Sequence, residues 1–427
     1  MVLLSCRKCV ERHQVHSALE ILTDHHPNLR MNISKSKNSL DFIEMKNFPI
    51  SVNEIETFDW VQATKHLFNR NIDEYNNTPL WKFIWIQNSY NYKNNLFQFI
   101  FSIHHSIADF PYTHLIVFDF LNILKDIQNG RFHRTCTKFP FSPSIEQIEG
   151  IRNNNVRITE SSSPENTPSD SDNTITALEA YEYCYKEEIK SLRDTSRIIS
   201  ASVWKTIEGH TVERFSDKCK KEMVSKNSAL LAAMLMSFGK LLEKKGCNFS
   251  VKFEFAFMTN LRRYMKENSP FYPGMAVVTC PVSINLDITE TSLSQDVFWD
   301  LARIIKSKTT IALNNNKPLT VLHEDVPRWA TGERNKGKSQ TVFLLSNVDQ
   351  VATLEPKTAK NFQIENFQII SDIKPDYSPI FVGLSHIRNG SLYCCIGYSS
   401  NYTSLDTAET FSDNITNIIE DSSVITF

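Results

Sequence analysis

Glycine is scarce in this chain, with 11 in 427 residues. Glycine-loop nucleotide enzymes and glycine-rich β-helices are therefore disfavoured at the outset. An excess of charge of either sign is also lacking. Lys and Arg number 46 against 48 Asp and Glu, a formal net charge of -2, which gives no general attraction to nucleic acid or to anionic membrane. No run approaches the roughly 18 to 20 apolar residues of a membrane span. The start, Met1-Val2-Leu3-Leu4-Ser5-Cys6, holds too brief an apolar stretch for a signal sequence. The cysteines number 9, an odd count spread thinly, and suit reduced thiols better than a disulfide framework. These deficits lead us to expect a cytoplasmic protein with no transmembrane segment and no nucleic-acid partner.

What is present is aromatic and orderly. The 28 Phe and 6 Trp can fill a large core, and the length suits about two domains. Val15, Ala18, Leu19 and Leu22 have helical spacing, and Pro27 ends that helix. Leu29 to Ile33 alternates like a strand. A second helix is expected from Asn53 to Asn71, with Asn53 as N-cap and Glu56 completing a capping box. Leu80 to Gln87 and Leu96 to Ile103 read as strands around a turn at Asn94-Asn95, the second apolar enough to be central. Pro111 is placed to open the next helix.

Residues Glu160 to Asn173 carry no large apolar side chain and read as a linker. The division is thus 1–159, a linker at 160–176, and 177–427. Beyond it the pattern restarts with a helix over Ser225 to Lys245 and a strand showing Val251, Phe253, Phe255 and Phe257 on one face. A strand over Ala276 to Ile284 and a helix over Gln295 to Leu313 follow. Further strands are expected at Thr341 to Ser346, Ile380 to His386 and Leu392 to Tyr398. The class is α/β.

The chemistry gathers at His104-His105-Ser106-Ile107-Ala108-Asp109, between a central strand and a helix. Successive side chains at a strand end point to opposite faces, so one of the two histidines can address a substrate and the other turns inward. Asp109 could fix the loop or orient an imidazole. Histidine suits base work near neutral pH, and no serine-type nucleophile is evident nearby, so direct activation of an acceptor is the simpler chemistry.

His104-His105-x-x-x-Asp109 resembles the His-His-x-x-x-Asp motif of the chloramphenicol acetyltransferase-like acyltransferases, which include condensation domains, alcohol acetyltransferases and polyketide-associated acyltransferases. The strand Leu96 to Ile103, Pro79-Leu80-Trp81-Lys82 and His26-Pro27-Asn28-Leu29-Arg30 are similar to that family's surrounding segments. Asn260-Leu261-Arg262-Arg263-Tyr264, Pro273-Gly274-Met275, Cys280-Pro281-Val282 and Leu345-Ser346-Asn347-Val348 match its second half more loosely. The resemblance implies two similar subdomains, each a mixed sheet with flanking helices, and an active-site tunnel between them. It also implies His105 as general base, with His104 and Asp109 structural. Asp109 would be paired to an arginine, Arg30 first and Arg262 in reserve, and Ser346 is a candidate oxyanion stabiliser. The donor would be an acyl-CoA or acyl-pantetheine thioester, used as co-substrate with no permanently bound cofactor, and the acceptor a small molecule bearing a hydroxyl or amine. A carrier protein is a candidate partner, and a monomer is expected. The alternative is a catalytically inactive binding or scaffold protein of the same fold.

Phe110 departs from the family, which has glycine after the motif, and could narrow the tunnel. The Asp-Phe-Gly-Trp-Gly motif of the plant branch is absent; Ser378 to Gly383 lies in about that region. Other groupings have plainer readings. Cys6, Cys9, His13 and His16 are too closely spaced for a zinc finger. His25-His26 before Pro27 reads as capping or exposed, not as ligands, and no metal is expected. Cys394-Cys395 should send one thiol inward and one outward. Lys336-Gly337-Lys338, in the polar run Thr331 to Gln340, reads as a mobile loop, or more sharply as a clamp for coenzyme A phosphates.

Overall fold

The computed structural model describes residues 2–35, 40–46, 48–56, 64, 78–87, 91, 93–131, 139, 141, 145, 148, 175–195, 200–265, 274, 276–288, 295–325, 341–348, 363–369 and 380–423. The first half forms β1 (Val2–Arg7), α1 (Arg12–His25), β2 (Met31–Lys35), β3 (Leu40–Glu44), β4 (Val52–Glu56), β5 (Trp81–Gln87), β6 (Leu96–Ile103) and α2 (Phe110–Gln128). There follow β7 (Ile175–Thr176), α3 (Ala177–Cys184), α4 (Lys186–Thr195), β8 (Ser200–Ile207), α5 (Gly209–Lys221), α6 (Lys226–Lys244), β9 (Ser250–Asn260) and β10 (Val277–Asp287). The chain continues with α7 (Gln295–Asn314), β11 (Thr341–Asn347), β12 (Gln363–Ile369), β13 (Phe381–Arg388), β14 (Ser391–Ser399) and α8 (Leu405–Ser422). No helix among the described residues is long and apolar enough to cross a membrane.

Contacts gather the chain into two units. The first comprises Met1–Asn153 with Asn260–Val277 and Gln350–Ile370; the second comprises Asn154–Thr259, Val278–Asp349 and Ser371–Phe427. Each is built on a mixed sheet. A cut at a single linker assigns residues 260–277 and 350–370 to the second half of the sequence, whereas their contacts lie with the first unit.

In the first unit the strand order is β12-β1-β6-β5-β4, antiparallel except for the parallel β4–β5 pair. The apolar run Leu96 to Ile103 sits at the centre of that order, as its composition requires. Phe97, Phe99 and Phe101 alternate along it and are all buried. Phe83 of β5 stacks on Phe99 at 5.1 Å, and Phe120 of α2 meets Phe99 edge-on at 5.4 Å. Each such ring stabilises by about 1.5–3 kcal/mol through burial alone. Helix α1 packs against α2 with Val15, Ala18, Leu19 and Leu22 buried, the expected stripe.

Two expectations in this unit are corrected. Residues Val52 to Glu56 are a strand, not the start of a helix at Asn53. They pair in parallel with β5 and bury Val52, and Asn53 Nδ2 donates to Phe83 O at 3.4 Å. An open sheet edge has outweighed a local capping pattern. The other residues of the Asn53–Asn71 proposal, save Thr64, lie outside the described residues. Leu29 and Arg30 belong to a 3-10 turn over Pro27–Arg30, and the strand begins at Met31, paired with β3 in a separate ribbon.

The second unit has the order β10-β9-β11-β13-β14-β8, with β7 beside β9. Strand β11 runs parallel to both β9 and β13. Helix α6 is buried nearly all round: beside the apolar side expected from Leu230, Leu231, Met234, Leu235, Phe238, Leu241 and Leu242, it also buries Ala232, Ala233 and Met236, because α7 and α8 pack on it as well. Phe238 meets Phe253, Phe381 and Phe411 edge-on at 5.8, 6.2 and 6.4 Å. Met234 lies so close to Gly383 of β13 that a Cβ there would sit 3.0 Å from its Cε. Asn389-Gly390 turns β13 into β14, both residues at positive φ (50 and 83) as a tight hairpin requires. Cys394 and Cys395 are both buried, contrary to the alternation expected of them, because β14 pairs on both sides and is covered on both faces.

Candidate functional site

Strand β6 ends at Ile103 and α2 begins at Phe110, so His104 to Asp109 form the connection. Backbone bonds set its path. His104 N–H donates to Leu80 O at 2.8 Å, and Ile107 N–H to His104 O at 3.2 Å. Ile107 and Ala108 turn inward and are buried. From the 3-10 turn after α1, Asn28 Nδ2 donates to Ile107 O at 2.9 Å and ties the middle of the loop down.

Asp109 is buried and serves two purposes at once. It is the N-cap of α2, accepting from Tyr112 N–H at 3.0 Å. Its carboxylate also takes both arms of the Arg262 guanidinium, Nη1 to Oδ2 at 2.6 Å and Nη2 to Oδ1 at 3.1 Å. Ala276 N–H adds a bond to Oδ2 at 2.8 Å. Arg262, also buried, donates onward to Gly274 O at 3.0 Å and Asn260 Oδ1 at 3.3 Å. A buried ion pair of this kind holds because each charge is also hydrogen-bonded. Both partners belong to the first unit.

Arg262 is therefore the arginine on Asp109. Arg30, the first choice from sequence, lies elsewhere: it donates to Glu44 Oε1 at 2.9 Å and to the carbonyls of Thr23 and Asp24 at the end of α1, at 2.6 and 3.1 Å. Being only a few residues beyond that helix, it reaches the helix carbonyls before anything on the loop. With its carboxylate committed to Arg262 and two backbone amides, Asp109 is a loop anchor rather than the acid of a catalytic triad.

The two histidines have opposite tautomers. His105 is exposed, and its Nδ1 lies 3.0 Å from Ala108 O. A carbonyl oxygen only accepts, so Nδ1 carries the proton and Nε2 the lone pair. In His104, half-buried, Nδ1 accepts from Ser106 N–H at 3.3 Å and lies 2.7 Å from Ser106 Oγ, which places the proton on Nε2. A neutral imidazole held this way at position 105 can accept a proton through Nε2.

Phe110 is the first residue of α2, half-buried, with its ring 5.9 Å from that of His114 along the same helix. Ser346 lies half-buried on β11 in the second unit. Lys336, Gly337 and Lys338 fall outside the described residues. Cys6 is buried in β1 and its thiol faces Phe97 O; His13 and His16 pair with Glu11 and Glu20, so the Cys6–His16 grouping does not converge. Among the described residues, the side chains that do converge as metal ligands would are His25, His26 and Asp119.

Sequence reasoning missed Asn28, Tyr112 and His26. His26 is fully buried rather than exposed, with Nδ1 3.1 Å from Tyr112 Oη and Nε2 3.0 Å from Asp119 Oδ2. The sequence carries one trace of this role: an asparagine right after His-Pro is a side chain able to reach a backbone carbonyl. Which carbonyl, 79 residues away, is set by the fold.

No family model matches the sequence, and no curated protein matches it. Solved structures do. Trichothecene 15-O-acetyltransferase from Fusarium sporotrichioides matches with TM-score 0.70 at 11% identity, over 99% of this chain and 90% of that one. The first condensation domain of the CDA synthetase matches with TM-score 0.63 at 10% identity, over 99% and 90%. Polyketide synthase associated protein 5 from Mycobacterium tuberculosis matches with TM-score 0.60 at 11% identity, over 98% and 94%. At such identities the likeness shows the fold, and the fold of this chain is the chloramphenicol acetyltransferase-like α/β fold.

Proposed function

We propose that this chain is an acyltransferase moving an acyl group from a thioester, acyl-CoA or acyl-pantetheine, to a hydroxyl or amine acceptor. His105 acts as the general base. The observation that carries this reading is the hydrogen bond from His105 Nδ1 to the Ala108 carbonyl, which leaves an outward lone pair on Nε2. In the proposed step Nε2 takes the acceptor proton as the acceptor oxygen or nitrogen attacks the thioester carbonyl. The tetrahedral intermediate then expels the thiolate, which takes the proton back from Nε2. Atoms and protons balance with no enzyme-bound acyl group. His104 and Asp109 shape the loop. The acetyltransferase and condensation domains that share the fold support acyl transfer as the reaction class.

Thiol release over a panel of acyl-CoA donors, with alcohols and amines as acceptors, tests the proposal. Acceptor-dependent release should fall by about 10²–10⁴ in kcat for His105→Ala, the usual contribution of a positioned base. Equal rates for the two proteins would remove His105 from the chemistry. Release without any acceptor would replace transfer by hydrolysis.

A further inference from the structure

We propose that His25, His26 and Asp119 form a binding site for a divalent transition-metal ion of the zinc class, separate from the His104–Asp109 loop. Three donor atoms, two imidazole nitrogens and one carboxylate oxygen, lie within 4.8 Å of one another. His26 Nε2 is 3.0 Å from Asp119 Oδ2, and His25 Nδ1 is 4.0 Å from the same oxygen. Ligand atoms on a tetrahedral ion with bonds of about 2.0–2.1 Å stand about 3.3 Å apart, a value that the 3.0 and 4.0 Å separations bracket, while the third pair, within 4.8 Å, closes by up to about 1.5 Å, shared between two side chains. Two imidazoles and a carboxylate form a donor set that zinc, cobalt and nickel accept readily.

Adjacent histidines on a strand or within a helix point apart. Here the backbone changes course between them. His25 is the last residue of α1, and His26 is its extended C-cap (φ -104, ψ 99), so the two rings come together at 5.5 Å, nearly perpendicular. Asp119 reaches them from α2. The side chains of His25 and Asp119 remain 15% and 21% exposed, the side from which an ion would enter.

Two further observations point to a ligand. Both ring nitrogens of His25 are buried from solvent, and neither has a hydrogen-bond partner among the described residues. A buried imidazole with no partner is costly and calls for a counterpart. His26, by contrast, shows the outer contact typical of a metal-bound imidazole. With Nε2 on an ion, Nδ1 carries the proton and donates to Tyr112 Oη at 3.1 Å. Tyr112 in turn gives its backbone N–H to Asp109, so a bound ion would brace α2 one turn behind the loop.

The test uses the full chain freed of metal by chelation. Calorimetric titration with Zn²⁺ should show one equivalent bound, and Co²⁺ should give visible bands of a nitrogen and oxygen site without thiolate charge transfer. His25→Gln and Asp119→Asn should each weaken Zn²⁺ binding by at least about 100-fold. Zn²⁺ should also raise the melting temperature of wild type and leave that of His25→Gln unchanged. His25→Gln removes a ring whose nitrogens make no hydrogen bond among the described residues, so it reports on the site even where Asp119→Asn perturbs folding. Absence of stoichiometric binding, unchanged affinity in His25→Gln, or a thiolate band from cysteine ligands would overturn the proposal.

Discussion

Replacing Arg262 by Met should be among the most damaging single changes in the first unit. The side chain is buried and supplies two of the four hydrogen bonds on Asp109. Each bond between charged groups contributes about 1.5–3 kcal/mol. The greater effect is on what is left behind, a buried carboxylate facing only two backbone amides, and breaking a buried pair from one side costs about 3–5 kcal/mol. For a unit of roughly 200 residues that lowers the melting temperature by about 6–20 °C. A chain of two units need not melt in one step, so hydrogen exchange of the α2 amides should accompany the thermal scan and localise the loss. The charge argument has a sharper consequence. Adding Asp109→Asn to Arg262→Met removes the stranded charge while keeping an oxygen to cap Tyr112, so the double variant should be more stable than Arg262→Met by 1 kcal/mol or more. A loss below about 1 kcal/mol for Arg262→Met, or no rescue by Asp109→Asn, would refute the reasoning.

Asn28→Ala should cost about 1 kcal/mol and lower kcat with little change in KM, since it frees the Ile107 carbonyl that holds the loop; steady-state kinetics on the variant check this. Unfolded His26 takes a proton near pH 6.5, but the folded ring does so only at lower pH. The unfolded state therefore binds more protons as pH falls below 6.5, and stability should drop there and level off once the folded ring titrates. Urea melts of metal-free protein across that range measure the slope, which His26→Gln should flatten. Gly383→Ala should destabilise the second unit by about 1 kcal/mol, near the low end for overpacking, because the flexible end of Met234 can give way; a melting shift near zero would show that the contact is already relaxed.

Local pattern revealed the elements whose burial is decided along their own length. The run Leu96 to Ile103 announced a central strand and the stripe on 226–244 a buried helix, because side-chain period and burial coincide there. The loop His104 to Asp109 was visible as a motif between them. What escaped depended on partners distant in sequence. Sequence favoured Arg30 over Arg262, yet it is Arg262 that the fold brings to Asp109. Asn53 carried a valid helix-start pattern, yet an unpaired edge of β5 claimed it. Cys394 and Cys395 alternate correctly, but β14 has no solvent face. His25 and His26 read as a helix end, and nothing local indicates that Asp119, on another helix, closes on them.

The separation of Asp109 from Arg262 has a bearing on how the chain is made. The two lie 153 residues apart. At about 5–20 residues per second, a ribosome reaches Arg262 some 8–30 s after Asp109. The edge strand β12, at 363–369, arrives later still. Throughout that interval the nascent N-terminal segment holds the residues of the loop but neither the cation that neutralises its buried acid nor the strand that closes its sheet. The unit that carries His105 therefore matures late in synthesis. Until then its central, phenylalanine-rich strands lack their last partners, the kind of exposed apolar surface that favours aggregation during synthesis.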